Sequence, residues 1–183
     1  MNPCCSGHGS PTNIVLKDAA RRSFLETLIV KGAIPGSIFH DASGRPVLRD
    51  GRNISFSYSF ERAVCAVTGS EVGCDVEYVR SFDVSKATFL SEPEKMFCLE
   101  SENPARTATT FWCRKESLGK CLGTGIVCNP SDMYVGLPNS IDEIRYRSRN
   151  YSFSDCGIEA DYCYTVCSSG TDVRVYVDVL SIL

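Results

Sequence analysis

Two hydrophobic periods run along the chain. Residues 17–34, KDAARRSFLETLIVKGAI, place Phe24, Leu25, Leu28 and Ile29 on one stripe at helical spacing. That spacing predicts a helix, closed by Pro35 and Gly36. The next stretch, DASGRPVLRDGRN (41–53), is rich in turn residues. ISFSYSF (54–60) then alternates with period two, as a strand does, and RAVCAVT (62–68) reads as a more buried strand. TGSE is a tight turn leading into VGCDVEYV (72–79), which predicts an antiparallel hairpin between 62–68 and 72–79. Short helices are expected at Ser85–Leu90 and Glu92–Glu100. The second carries Ser91 as N-cap, Pro93 in its first turn and Glu94 three residues after the cap, a capping box. Ala105–Leu122 is the long helix, followed by short strands at Met133–Val135, Glu143–Arg147, Tyr151–Phe153, Asp161–Cys167 and Val173–Leu180. The fold class is α+β.

Length and charge narrow the field. A chain of 183 residues forms one domain, or two intimate lobes, with a substantial core. Its net charge of −3 argues against nucleic-acid binding, which needs a clustered positive field. No apolar run reaches membrane-spanning length, and the polar opening MNPCCSGHGSPTN lacks the apolar core of a signal peptide, so a cytoplasmic protein with no membrane partner is expected. Eleven cysteines include no C-x-x-C pair, which leaves zinc ribbons and thioredoxin-like motifs unsupported. Most sit in apolar strings such as AVCAVT and YCYTVC, where a thiol packs as a small hydrophobe. Cys4 and Cys5, in the polar N-terminal segment, are the ones most open to oxidation. With only His8 and His40 present, a Ser–His–Asp or Cys–His hydrolase would rest on His40 alone.

Two short motifs remain. In GCDVEYV, strand periodicity aims Asp75 and Glu77 at one face, with Cys74, Val76 and Tyr78 toward the core. Such a pair is either an ordinary polar face or, since adjacent like charges repel, a cation site. In FWCRKESLGKCLGTG, Trp112, Glu116 and Lys120 recur every four residues and stack on one helix face. Alone, they form a solvated Glu–Lys pair with an aromatic anchor. Joined to Asp75 and Glu77, Glu116 completes an oxygen-rich site suited to Mg²⁺ and phosphate oxygens, with Lys120 as a point charge on the same phosphates. Farther on, Arg145, Arg147 and Arg149 at period two form either an arginine-guarded edge strand or a docking strip for an acidic partner.

Together the two motifs resemble the signature of surfactin-type 4′-phosphopantetheinyl transferases. That signature is G-x-D-x-E, then about forty residues later W-x-x-K-E-S-x-x-K-x-x-G-x-G. Gly73, Asp75, Glu77, Trp112, Lys115, Glu116, Ser117, Lys120, Gly123 and Gly125 occupy its fixed positions. GRP (44–46) resembles the family's G-K-P, with Arg45 for lysine, and NISFS (53–57) its N-x-S-H-S, with Phe56 for histidine. Arg22 falls at the place of an arginine on the family's early helix, and DYCYTVC fits its closing strand. The resemblance spans about 18–183 and is strongest over 44–125.

The resemblance implies two similar α+β lobes with the active site in the cleft between them. Residues 1–17 would be a polar tail, 18–70 a shortened first lobe, and 71–183 a second lobe carrying the metal site. It implies transfer of 4′-phosphopantetheine from coenzyme A to a serine of an acidic acyl or peptidyl carrier protein, releasing 3′,5′-ADP. Mg²⁺, or Mn²⁺, would sit on Asp75, Glu77 and Glu116. Glu116 would accept the serine proton and Lys120 would steady the phosphates. Arg22, Arg45, Ser55, Phe56, Lys115 and Lys120 would contact coenzyme A, with Trp112 as a packing anchor. A chain containing its own cleft is expected to be a monomer. The short first lobe and Phe56 depart from the pattern and bear on coenzyme A affinity. A non-catalytic binding module for coenzyme A or carrier protein, a Mg²⁺-dependent phosphohydrolase and a purely structural α+β protein remain as alternatives.

Overall fold

The computed structural model describes residues 22–42, 44–138 and 143–179. The expected tail, with Cys4, Cys5 and His8, lies outside the described residues. So do the first residues of the predicted 17–34 helix, whose described part, α1, covers 22–30. It ends earlier than Pro35: the amides of Gly32 and Ala33 return to the carbonyls of Ile29 and Leu28, with Gly32 at φ +67°. A left-handed residue closes the helix there before the proline is reached.

Nine strands form two antiparallel sheets among the described residues. The first contains β1 (Ile38–His40), β2 (Pro46–Leu48), β3 (Asn53–Ser59), β4 (Arg62–Thr68) and β9 (Arg174–Val179), in the order β1-β2-β3-β4-β9. The second contains β5 (Val72–Tyr78), β6 (Glu143–Tyr146), β7 (Arg149–Cys156) and β8 (Tyr162–Ser168), in the order β5-β8-β7-β6. The predicted hairpin of β4 with β5 does not form. β4 pairs with β3 and β9, whereas β5 pairs with β8, Gly73 opposite Cys167 and Asp75 opposite Thr165. The turn at 69–71 carries the chain from one sheet to the other.

Alternation along β4 explains the stacking. Ala63, Cys65 and Val67 pack with Phe24 and Leu28 of α1, while Val64 and Ala66 pack with Val72, Cys74 and Val76 of β5 and with Tyr162, Tyr164 and Val166 of β8. The other face of the second sheet, through Phe153 and Cys167, meets Phe111, Leu118 and Cys121 of α3 (Pro104–Leu122). The layers are therefore α1, first sheet, second sheet, α3. A strand apolar on both faces, as β4 is, suits an inner position.

α2 (Glu92–Glu100) has the boundaries its caps predict, and the Glu94 carboxylate accepts the Ser91 amide at 2.8 Å. At Ser85–Leu90 only a single 3₁₀ turn forms, Val84–Lys86, capped by the Asp83 side chain. No strand forms at Met133–Val135. A 3₁₀ turn at Pro130–Asp132 precedes it, and the Val135 carbonyl accepts from the Arg114 guanidinium at 3.0 Å instead of from a ladder. The three arginines do not share a strand face. Arg145 is in β6, Arg149 in β7, and Arg147 and Ser148 turn between them at φ +46° and +68°. Among the described residues seven cysteines are buried as the packing reading expects, Cys156 is half-buried, and Cys128 is exposed. No helix among the described residues is long and apolar enough to cross a membrane.

Candidate active site

The site is built where β5 runs beneath α3. Gly73 makes this crossing possible: a Cβ there would overlap the Ser117 carbonyl and the Cys121 amide. Close approach brings Asp75, two residues along the same strand face, against Lys120. The Lys120 ammonium donates to Asp75 Oδ1 at 2.7 Å and to the Cys74 carbonyl at 3.1 Å.

The rotation of α3 is fixed by two buried cations on its other faces. Arg114, fully buried, donates to Asp155 Oδ2 from Nη2 at 2.6 Å and from Nε at 2.9 Å, and lies over the Phe153 ring. Lys115, also fully buried, donates to Glu94 Oε2 at 2.7 Å and to the Phe89 carbonyl at 2.8 Å. With those sides anchored, Trp112, Glu116 and Lys120 form the half-exposed stripe. Lys115 is thereby turned away from the place where the resemblance put it, because its neighbour Glu94 takes its charge.

Asp75 is only 3 % exposed, which overturns the reading of D-x-E as a solvated outer face. Its Oδ1 also accepts from the Ser57 hydroxyl at 2.6 Å, and its buried Oδ2 has no hydrogen-bond partner among the described residues. Glu77 accepts from Ser59 Oγ at 3.0 Å, and the Trp112 indole lies near it. Burial first, and the Asp75 charge second, raise the Glu77 carboxyl, against the pull of Ser59, Lys120 and Trp112. The same two causes raise Glu116, with Lys120 opposing. Burial alone would lower the Lys120 ammonium, but Asp75, by charge and hydrogen bond, raises it on balance, helped by Glu116. Glu77 and Glu116 thus each feel the Asp75 charge, yet no three His, Cys, Asp or Glu side chains among the described residues form a ready metal cluster.

Beside Lys120 opens a cavity of about 280 Å³. Its walls include Arg45, Ser55, Phe56, Lys120, Gly123 and Gly125, gathering the GRP, NISFS and G-x-G segments in one place. Gly123 caps α3 in the left-handed region at φ +71°, and the aliphatic part of Arg45 packs where its Cβ would be. A side chain would be strained by that φ and would displace Arg45. Arg45 is held by Asp41 at 3.1 Å and reaches the Cys121 carbonyl at 3.5 Å. Ser55 Oγ accepts the Cys74 amide at 3.0 Å. Arg22 is exposed on α1 and does not line this cavity. A second cavity, about 300 Å³, adjoins Glu77 and is walled by Tyr78, Arg80, Phe82, Phe89, Thr109 and Trp112.

Sequence reasoning missed Ser57 and Ser59. The signal was present in NISFSYSF, where serine occupies 55, 57 and 59 while Ile54, Phe56 and Tyr58 turn toward α1. What was not readable is that this polar edge lies along β5. There Ser55 and Ser59 take the amides of Cys74 and Tyr78, which face away from β8.

Residues 71–177, more than half of the chain, match the 4′-phosphopantetheinyl transferase superfamily. The chain belongs to that superfamily. No curated protein gives a significant match.

Proposed function

We propose that this chain is a surfactin-type 4′-phosphopantetheinyl transferase, which moves phosphopantetheine from coenzyme A to a serine of an acyl or peptidyl carrier protein and releases 3′,5′-ADP. The observation that carries this reading is the meeting of the Asp75–Lys120 pair with a cavity lined by Arg45, Ser55, Phe56 and Gly123. Family membership supports it.

The donor set fits a divalent cation, Mg²⁺ or Mn²⁺. Asp75 Oδ2 is buried without a hydrogen-bond partner among the described residues, Glu77 and Glu116 both feel the Asp75 charge, and a Mg²⁺ site of one or two carboxylates completed by water and substrate phosphate needs no closed protein cage. When bound, such an ion neutralises pyrophosphate charge and stabilises the charge that develops in transfer. Lys120, kept charged by Asp75, holds the phosphates and steadies the leaving group. The serine oxygen attacks the β-phosphorus, the bond from that phosphorus to the oxygen of the 3′,5′-ADP leaving group breaks, and the serine proton passes to Glu116. A carboxylate whose proton affinity is raised by burial and by Asp75 is the stronger base for that step. Arg45 is suited to the 3′-phosphate of coenzyme A, Ser55 to a phosphate oxygen, and the Phe56 ring to the adenine face.

The reading is tested by following 3′,5′-ADP. Release that requires coenzyme A, divalent cation and an apo carrier protein together is expected. Release without carrier would identify a phosphohydrolase, and coenzyme A binding with no release a binding module.

A further inference from the structure

The second serine of β3 has a specific geometry. Ser57 is 7 % exposed, and its hydroxyl donates to Asp75 Oδ1 at 2.6 Å, across the junction of the two sheets. Lys120 donates to the same oxygen at 2.7 Å. Both strong donors are spent on Oδ1, and Oδ2 is left buried with no hydrogen-bond partner of good geometry among the described residues, only the weakly donating Cys113 thiol lying close to the carboxylate. The Asp75 backbone is set by its register with Thr165. The torsion that orients its carboxylate is broad and roughly two-fold, so side-chain partners must fix it. Lys120, on a flexible stem, can follow either oxygen as a point charge. The Ser57 hydroxyl, on a short side chain in a paired strand, cannot.

We infer that Ser57 is a positioning residue, which holds the Asp75 carboxylate so that Oδ2 is presented to the divalent cation. The inference rests on the cation reading of the site given above. Ser59 does the same for Glu77 more weakly, since its hydrogen bond is longer, at 3.0 Å. The β3 serines therefore act on the cation through the carboxylates of a strand in the other sheet. Partners of metal-ligating carboxylates typically contribute 10–100-fold to metal affinity.

Mn²⁺ binding, read from the loss of the free-ion signal in electron paramagnetic resonance, tests this on the full chain without any turnover. Ser57→Ala should weaken Mn²⁺ binding by about 10–100-fold. Ser57→Cys, which keeps the volume but offers only a weak donor, should do the same and stands in if the alanine variant does not fold. Ser57→Thr, which restores the hydroxyl, should bind nearly as the wild type does. Coenzyme A affinity in chelator should not change in these variants. Asp75→Asn separates the two levels of the argument. If the wild type does not bind Mn²⁺, or Asp75→Asn binds it as tightly as the wild type, the cation reading fails and the inference with it. If Asp75→Asn loses binding while a folded Ser57→Ala or Ser57→Cys keeps wild-type affinity, the cation reading stands and the role of Ser57 is overturned. A loss in Ser57→Thr as large as in Ser57→Ala would also overturn it.

Discussion

Lys115 and Lys120 sit five residues apart on one helix and have opposite fates. Lys120 lines a cavity and faces Asp75, whereas Lys115 is sealed against Glu94 and Phe89. The sequence shows two lysines in one motif; which of them meets solvent depends on the rotation of α3, set by Asp155 and Glu94 far along the chain. Removing one partner of a buried ion pair leaves the other charge uncompensated, at a cost of about 3–5 kcal/mol. Lys115→Met should therefore lower stability to urea by about 3 kcal/mol, with coenzyme A affinity unchanged under conditions where the variant is folded. Undiminished stability with lost coenzyme A affinity would return Lys115 to the binding role that the resemblance implies. Asp75 and Glu77 were legible as a pair because strand periodicity is local. The serines that hold them were not, because their partnership crosses from one sheet to the other.

At the scale of elements, the long or well-capped ones were readable, whereas the short segments at Ser85–Leu90 and Met133–Val135 were not. α2 is bounded by its own capping box, α3 begins at Asn103 and Pro104 and stops at Gly123, and β4 matches its apolar run. Pairing failed as well. β4 and β5 are both largely buried, and a tight turn between two such strands suits a hairpin as well as a step between sheets. The true partner of β5 is β8, whose apolar run carries no mark of register. The strands β1 and β2, three residues each, are too short to show a period. The strand expected to run through Arg147 stops at Tyr146, and the next begins at Arg149 rather than Tyr151, because Arg147 and Ser148 both adopt positive φ, which neither residue type signals. Two-residue hairpin turns of this kind favour Asn-Gly. Replacing Arg147 and Ser148 by Asn and Gly should raise the denaturation midpoint, by an amount corresponding to about 0.5–2 kcal/mol. No change, or a loss, would mean that this segment does not turn there.

The whole molecule joins two sheets through one apolar layer and one polar seam. The layer, from Val64 and Ala66 to Tyr164 and Val166, holds the sheets face to face. The seam, from Ser55–Ser59 to Cys74–Tyr78, sets the carboxylates of the second sheet against hydroxyls of the first. β9 reinforces this union: after the four strands of the second sheet, the chain returns to pair with β4. That return divides the strands differently from the expected boundary at residue 70, and composition gives no sign of it. The proposed site draws on both sheets, since β3 would supply Ser55, Phe56 and Ser57, and β5 and α3 Asp75, Glu77, Glu116 and Lys120. The chemistry proposed for it is group transfer. The most direct measurement is intact-protein mass spectrometry of an apo carrier protein incubated with coenzyme A, Mg²⁺ and this chain. The carrier should gain the mass of one phosphopantetheine at its serine, and Lys120→Ala or Glu116→Ala should sharply slow the gain. A carrier whose mass stays unchanged with the wild-type chain, across a panel of acyl and peptidyl carriers, would contradict it.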